Sequence, residues 1–270
     1  MCVWSESVTV MRSNLRVIWD TLRLQMKNSF VRPMFRFCLI INPIANTVII
    51  YEMFRNSGQD NFGTYVILGA GLMAIWCCIC FSSAGDINRE RWSGTLSMIF
   101  VAPAGFQLII FGKILGNTML SLLTLCISYI TAKLLYSVNI SVDYPLYTVL
   151  ALICAIVCFI VFSTLIAYLL TLSRKTELYM NMIEIPIILL CGFVFPVSFL
   201  PQWIHPISYV LPPTWAVRML RLSIHWTTGS EFLYTFVILV LVTTFYGVAT
   251  ALLYKAIDRQ IRKKATLEVF

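Results

Sequence analysis

The chain has 270 residues, of which 59% are hydrophobic and only 12% charged, and it carries a formal net charge of +8. Its mean hydropathy of +0.84 excludes an ordinary water-soluble domain and points to an all-α integral membrane protein. The basic excess reads as membrane topology and contact with anionic lipid, not as nucleic-acid binding.

Residues 1–36 open the chain with an amphipathic pattern. Leu15, Ile18, Trp19, Leu22, Met26 and Phe30 recur at helical spacing, interleaved with Arg12, Arg16, Arg23 and Lys27. This predicts a helix lying in the membrane interface. The segment holds no uninterrupted apolar core of the secretory-signal kind, so the first span is expected to be retained.

A span takes about 20 apolar residues to cross a roughly 30 Å hydrocarbon core. Six runs qualify: 37–54, 65–85, 106–136, 147–172, 178–197 and 232–254. They are long and continuously apolar, where barrel strands would alternate over about ten residues. The first contains Asn42, Pro43 and Asn46, which are costly against lipid and are expected to face other helices or a pathway. In the second, the "CCIC" of Cys77–Cys80 lacks nearby histidines, and packing is favoured over a metal site. The fifth contains Asn181 and Glu184. A carboxylate within a span is a functional-site candidate by default, though pairing with a base such as Lys175 is favoured.

Most of the 20 Lys and Arg residues fall on one side of these runs: before the first, between the second and third, between the fourth and fifth, and after the sixth. The positive-inside rule makes this side the cytoplasm, with both termini inside and 255–270 as a basic cytoplasmic tail.

Two stretches do not fit plain spans or loops. In 86–105, "DINRERWSGTLSMIFVAPAG", charge is followed by Gly94 and an Ala102-Pro103 break, which fits a helix over about 90–99 running along the membrane surface. In 198–231, four prolines and three tryptophans make a segment too broken to span and too apolar for a free loop. It reads as a re-entrant hairpin of two short helices, about 202–210 and 214–224. His205 and His225 alone do not make a metal site. No catalytic constellation can be assembled.

Arg89-Glu90, Gly94-Thr95-Leu96, Ala102-Pro103, Gly112-Lys113 and Gly116 together resemble the membrane subunits of ABC-2 type exporters. So does 192–221, through Phe195-Pro196, Leu200-Pro201, Trp203, Pro212-Pro213 and Arg218 or Arg221. Ser97 stands where that family often has an acidic residue, and Ala102 where it often has Ser.

The resemblance implies six transmembrane helices over 37–254, a coupling element at 86–105 and an outer hairpin at 198–231. The expected ATPase-coupling residues are Arg89, Glu90, Arg91, Trp92, Gly94, Thr95, Leu96 and Ile99. The expected gate residues are Phe195, Pro196, Leu200, Pro201, Trp203, Pro212, Thr214 and Arg218. Asn42, Asn46, Asn181 and Glu184 are the pathway candidates.

It also implies a permease of an ATP-driven exporter in a bacterial cytoplasmic membrane, a second permease copy or homologue, and two nucleotide-binding ATPase subunits. The chain itself binds no ATP through a phosphate-binding loop, because Gln107 stands where the motif needs its first glycine and Ile114 where it needs a hydroxyl. ATP and Mg would sit on the partner. The apolar span interiors favour an amphipathic small molecule, lipid or peptide as cargo over a polysaccharide or glycolipid. A rival class is a proton- or ion-coupled transporter using Glu184.

Overall fold

The computed structural model describes residues 2–55, 62–95, 98–99, 105–136, 144–171, 176–224 and 229–264. The described residues are helical throughout, joined by turns, with no strand among them. In chain order the helices are α1 (Cys2–Val31), α2 (Pro33–Arg36), α3 (Asn42–Phe54), α4 (Phe62–Trp92), α5 (Phe106–Tyr136), α6 (Pro145–Thr171), α7 (Thr176–Leu190), α8 (His205–Val210), α9 (Pro212–Ile224) and α10 (Gly229–Lys264). Among the described residues, four helical segments are long and apolar enough to cross a membrane: Pro33–Phe54, Gln107–Tyr136, Pro145–Leu170 and Gly229–Ala256. Ile67–Cys80 and Leu178–Leu190 are shorter apolar helices.

The first of these segments contains a π-helical turn, Phe37–Ile41, between α2 and α3. Proline at 43 has no N–H to donate and its ring would strike the carbonyl four residues back. The wider turn, closed by the Asn42 N–H on the Phe37 carbonyl, takes up that mismatch and keeps one continuous rod.

Two elements differ from the sequence expectations. The fifth apolar run was expected to reach 197, but α7 ends at Leu190. Gly192 adopts φ +73°, a left-handed conformation that ends helices at low steric cost for glycine, and the chain bends towards Pro196. The basic stretch from 255 continues α10 as helix up to Lys264. Arg89, Glu90, Arg91 and Trp92 form the last turn of α4, so the surface helix expected over about 90–99 does not begin at 90: α4 runs on to Trp92 and the chain turns at Gly94, with φ +69°.

The core is centred on Trp76 of α4, fully buried. Its ring meets Phe159 and Phe162 of α6 at centroid distances of 5.9 and 5.7 Å, and Phe193 at 6.4 Å. Such aromatic pairs contribute about 0.5–1.5 kcal/mol each beyond their buried area. Cys77 and Cys80 are buried in this cluster, whereas Cys78 is buried in a second one with Phe35, Leu39 and Leu120.

At the Gly192 end of α4, a Cβ on Gly69 would lie 2.5 Å from the Phe193 carbonyl oxygen. That oxygen also accepts a hydrogen bond from the Arg221 guanidinium of α9 at 3.1 Å. The chain after α7 is thereby held between α4 and α9. Near the other end of α4, a Cβ on Gly85 would meet nothing within 4 Å. Gly69→Ala is expected to lower the thermal midpoint of the detergent-solubilised protein. Gly85→Ala should raise it slightly, by the equivalent of about 0.5–1 kcal/mol of helix propensity.

Candidate functional site

A polar junction joins α1, α4 and α5 at the Trp92 end of α4. Its centre is Asp86, whose side chain is 4% exposed. A carboxylate so far from water must have its lone pairs satisfied. Oδ1 accepts from Arg32, at the end of α1, and from Arg89 at 3.3 Å; Oδ2 accepts from Gln25 Nε2 at 2.5 Å and from Asn117 Nδ2 at 2.9 Å. Asn117 Oδ1 accepts in turn from the Ser29 hydroxyl at 2.7 Å and from Gln25 Nε2 at 3.1 Å.

These bonds need close approach of α1 to α5, and two glycines allow it. A Cβ on Gly112 would stand 3.0 Å from the Ile18 carbonyl oxygen, and one on Gly116 would stand 2.9 Å from that of Leu22. Small residues four apart on one face are the usual means by which two helix backbones approach in lipid. With Gln25 and Ser29 turned inward, Leu15, Trp19 and Phe30 of α1 point outward, while Ile18, Leu22 and Met26 are half-buried against the bundle. The amphipathic stripe read from sequence thus divides between an outward face and a packing face.

One turn beyond Asp86, Glu90 bonds to Lys113 of α5 and to the Thr95 hydroxyl. The Ser93 hydroxyl donates to the Arg89 carbonyl at 2.9 Å and closes the helix end. Burial alone would push the Glu90 carboxyl up, but the Lys113 and Thr95 hydrogen bonds and the Lys113 and Arg89 charges outweigh it, and the group is held below the ordinary range. Trp92 is 85% and Met98 72% exposed, whereas Ile99 packs against Ile110, Ile114, Ile160 and Tyr168 of α5 and α6. The side chains of Arg91 and Leu96 lie outside the described residues.

The expected gate residues sit together at the Gly192 end. Pro212 and Thr214 are buried in α9, Phe195, Pro196, Leu200 and Arg218 are half-buried, and Pro201 and Trp203 are exposed. The two expected short helices are α8 and α9, stitched by the Thr214 hydroxyl on the Ser208 carbonyl at 2.6 Å and by Trp215 Nε1 on the Tyr209 carbonyl at 2.8 Å.

The pathway candidates separate. Glu184 is 8% exposed and hydrogen-bonds the Cys77 thiol, which Asn42 also contacts. Asn46 Nδ2 donates to Asn42 Oδ1 at 3.0 Å. Asn181, one turn earlier on α7, is exposed. Lys175, the expected partner of Glu184, lies outside the described residues, and no described Lys or Arg forms an ion pair with Glu184.

A family model described as ABC-2 type transporter matches residues 16–225, which spans α1 to the end of α9. The chain belongs to the ABC-2 type transporter family. It is a multi-pass membrane permease subunit of an ABC transporter, and membership implies ATPase partners. No curated protein matches the chain. The matched region contains both the Asp86 junction and the α8–α9 hairpin of the permease.

Gln25, Ser29, Arg32, Asp86 and Asn117 were not singled out in the sequence. A signal for them existed: Asn117 interrupts an apolar run, and Gly112 and Gly116 are spaced for helix contact. Asp86→Ala would leave two guanidinium groups around a buried void, and a loss of about 3–5 kcal/mol is expected in equilibrium unfolding. Glu90→Gln, in a partly exposed pair, should cost under about 1 kcal/mol. Because the folded Glu90 value is lowered, its contribution is fully present above the unfolded carboxyl value of about 4.3 and fades as pH falls through the folded one. Glu90→Gln and the parent protein should therefore differ at pH 7, and the difference should shrink as the pH falls below the unfolded carboxyl value.

Proposed function

We propose that this permease works in an ATP-driven exporter of a bacterial cytoplasmic membrane, and that the α4–α5 turn is where the ATPase grips it. The observation that supports this most is the build of that turn. Trp92, 85% exposed, stands on a helix end clamped by the Asp86 and Glu90 networks, and Ile99 ties the far side of the turn to α5 and α6. A large aromatic on a stiff mount is the kind of group that dominates protein interfaces.

In this reading, six helices span the membrane, with residues 1–36 at the cytoplasmic interface, 37–254 forming the transmembrane domain and both termini inside. Two permease copies, or this chain and a homologue, engage two ATPase subunits. Closure of the ATPases on ATP pushes Trp92 and its neighbours. α4 carries the push to the Phe193 carbonyl beside Gly69, and so to the α8–α9 hairpin, which gates the outer side. Cargo is an amphipathic small molecule, lipid or peptide, since the helix interiors are mostly apolar.

Glu184 supports a narrower second reading. A buried carboxylate beside Cys77 and Asn42, with no described Lys or Arg paired to it, suits the cationic group of such a cargo or a proton.

Trp92→Ala should weaken association of the purified permease with its ATPase by about thirtyfold, the size of a 2 kcal/mol interfacial aromatic. Trp203→Ala, a change of the same size at the other end of the fold, should leave that affinity alone. Equal affinities for Trp92→Ala and the parent protein, measured by surface plasmon resonance in nanodiscs, would remove the turn from the ATPase contact.

A further inference from the structure

At the Gly192 end, the 3-10 turn Val197–Phe199 and helices α8 and α9 bound a cavity of about 360 Å³, within the range of small-molecule sites. It lies far from the Trp92 turn and has no part in gripping an ATPase. Two guanidinium groups, Arg218 and Arg221, line it, and no described Asp or Glu does.

The two arginines are placed differently. Arg221 is an anchor, through its bond to the Phe193 carbonyl. Arg218 is half-buried, its guanidinium carbon is 5.7 Å from the centroid of the Trp215 ring, and it forms no ion pair with any described residue. A π face attracts a cation but does not neutralise it. A partly desolvated guanidinium lined up with a second one favours an anion, and the planar fork suits phosphate best.

The rest of the lining narrows the ligand further. Val197, Val217 and Leu222 are apolar neighbours of this cationic pair, so a headgroup charge and the first carbons of a chain are accommodated together. The walls are also fixed in advance. Besides the Thr214 and Trp215 bonds, the Thr148 hydroxyl of α6 donates to the Ser223 carbonyl at 3.3 Å, and Tyr246 of α10 donates to the Val210 carbonyl at 3.3 Å. A preformed site loses less ordering entropy when it binds.

We propose that this cavity binds the phosphate headgroup of an anionic amphiphile, with Arg218 as its charge partner. The inference requires no assignment of the membrane side, of cargo or of transport direction. It is read on the permease alone, so failure of the Trp92 experiment leaves it standing.

The test titrates the full chain, purified in a non-ionic detergent, with dihexanoyl phosphatidylglycerol, dihexanoyl phosphatidylcholine or inorganic phosphate, and counts bound ligand by native mass spectrometry. The parent protein should prefer the anionic lipid over the zwitterionic one by about tenfold, the size of one charge-assisted contact. Arg218→Gln should abolish that preference, Arg218→Lys should keep part of it, and Leu222→Trp should remove binding by filling the cavity with Arg218 intact. An unchanged preference in Arg218→Gln overturns the proposal. If that variant does not fold, an unchanged preference in Leu222→Trp overturns it instead. Displacement of the lipid by inorganic phosphate at equal concentration would make the ligand the free anion and overturn the amphiphile assignment.

Discussion

The Asp86 carboxylate has roughly four acceptor sites, and the structure fills them with donors from α1, α4, α5 and the α1–α2 link: Gln25, Arg89, Asn117 and Arg32. In a chain this apolar, the arrangement is a constraint before it is a stabiliser. An isolated buried carboxylate costs several kcal/mol, so α1 must be where Gln25 and Arg32 can reach Asp86, and α5 must be where Asn117 can. The glycines at 112 and 116 follow from that geometry, because any side chain there would hold α1 away and leave the carboxylate short of donors.

The same carboxylate sits near one end of α4, a helix of 31 residues. From Gly69 to Asp86, α4 rises about 26 Å at 1.5 Å per residue. Along that length it is braced by Trp76 against Phe159, Phe162 and Phe193. At the Gly69 end the missing Cβ lets the Phe193 carbonyl seat against the helix, and Arg221 holds that carbonyl from the other side. A displacement at the Trp92 turn therefore meets a stiff rod whose far end is tied to α9.

Much of this was legible in the sequence, and what was not has a physical reason. Hydropathy finds apolar runs well because lipid tolerates few polar groups, and the broken Pro- and Trp-rich segment announces α8 and α9. Run ends are less visible. Hydropathy runs on past Leu190 through 197, so the end of α7 is carried by Gly192 and Pro196, a stop signal that an apolar-run count passes over. The junction was hidden for another reason. Gln25, Ser29, Asp86 and Asn117 are ordinary polar residues in three distant stretches, and their meaning arises only when α1, α4 and α5 come together. Arg218 was legible as a hairpin residue, but the half-buried stack on Trp215 and the cavity beside it were not.

Helices in lipid gain nothing from hydrophobic exclusion, so packing detail and polar contacts decide which of them move together. By that measure the bundle is uneven. Separating α1, α4 and α5 breaks the Asp86 network, the Glu90–Lys113 pair and the Gly112–Gly116 contact, and separating α9 from α4 breaks the shared hold on the Phe193 carbonyl. α7 is bound by less. Pro186 removes one of its backbone hydrogen bonds, Gly192 ends it with a flexible residue, and Glu184, its buried charge, has no ion pair among the described residues. Sliding α7 against α4 disturbs the Cys77 contact and the apolar packing of Met180, Ile187 and Ile188, whereas moving α1 or α5 exposes a buried carboxylate. Under the coupling proposed for the Trp92 turn, a conformational change would be cheapest with α1, α4, α5 and α9 shifting as one body and α7 yielding, and Glu184 would then lie where the two parts slide.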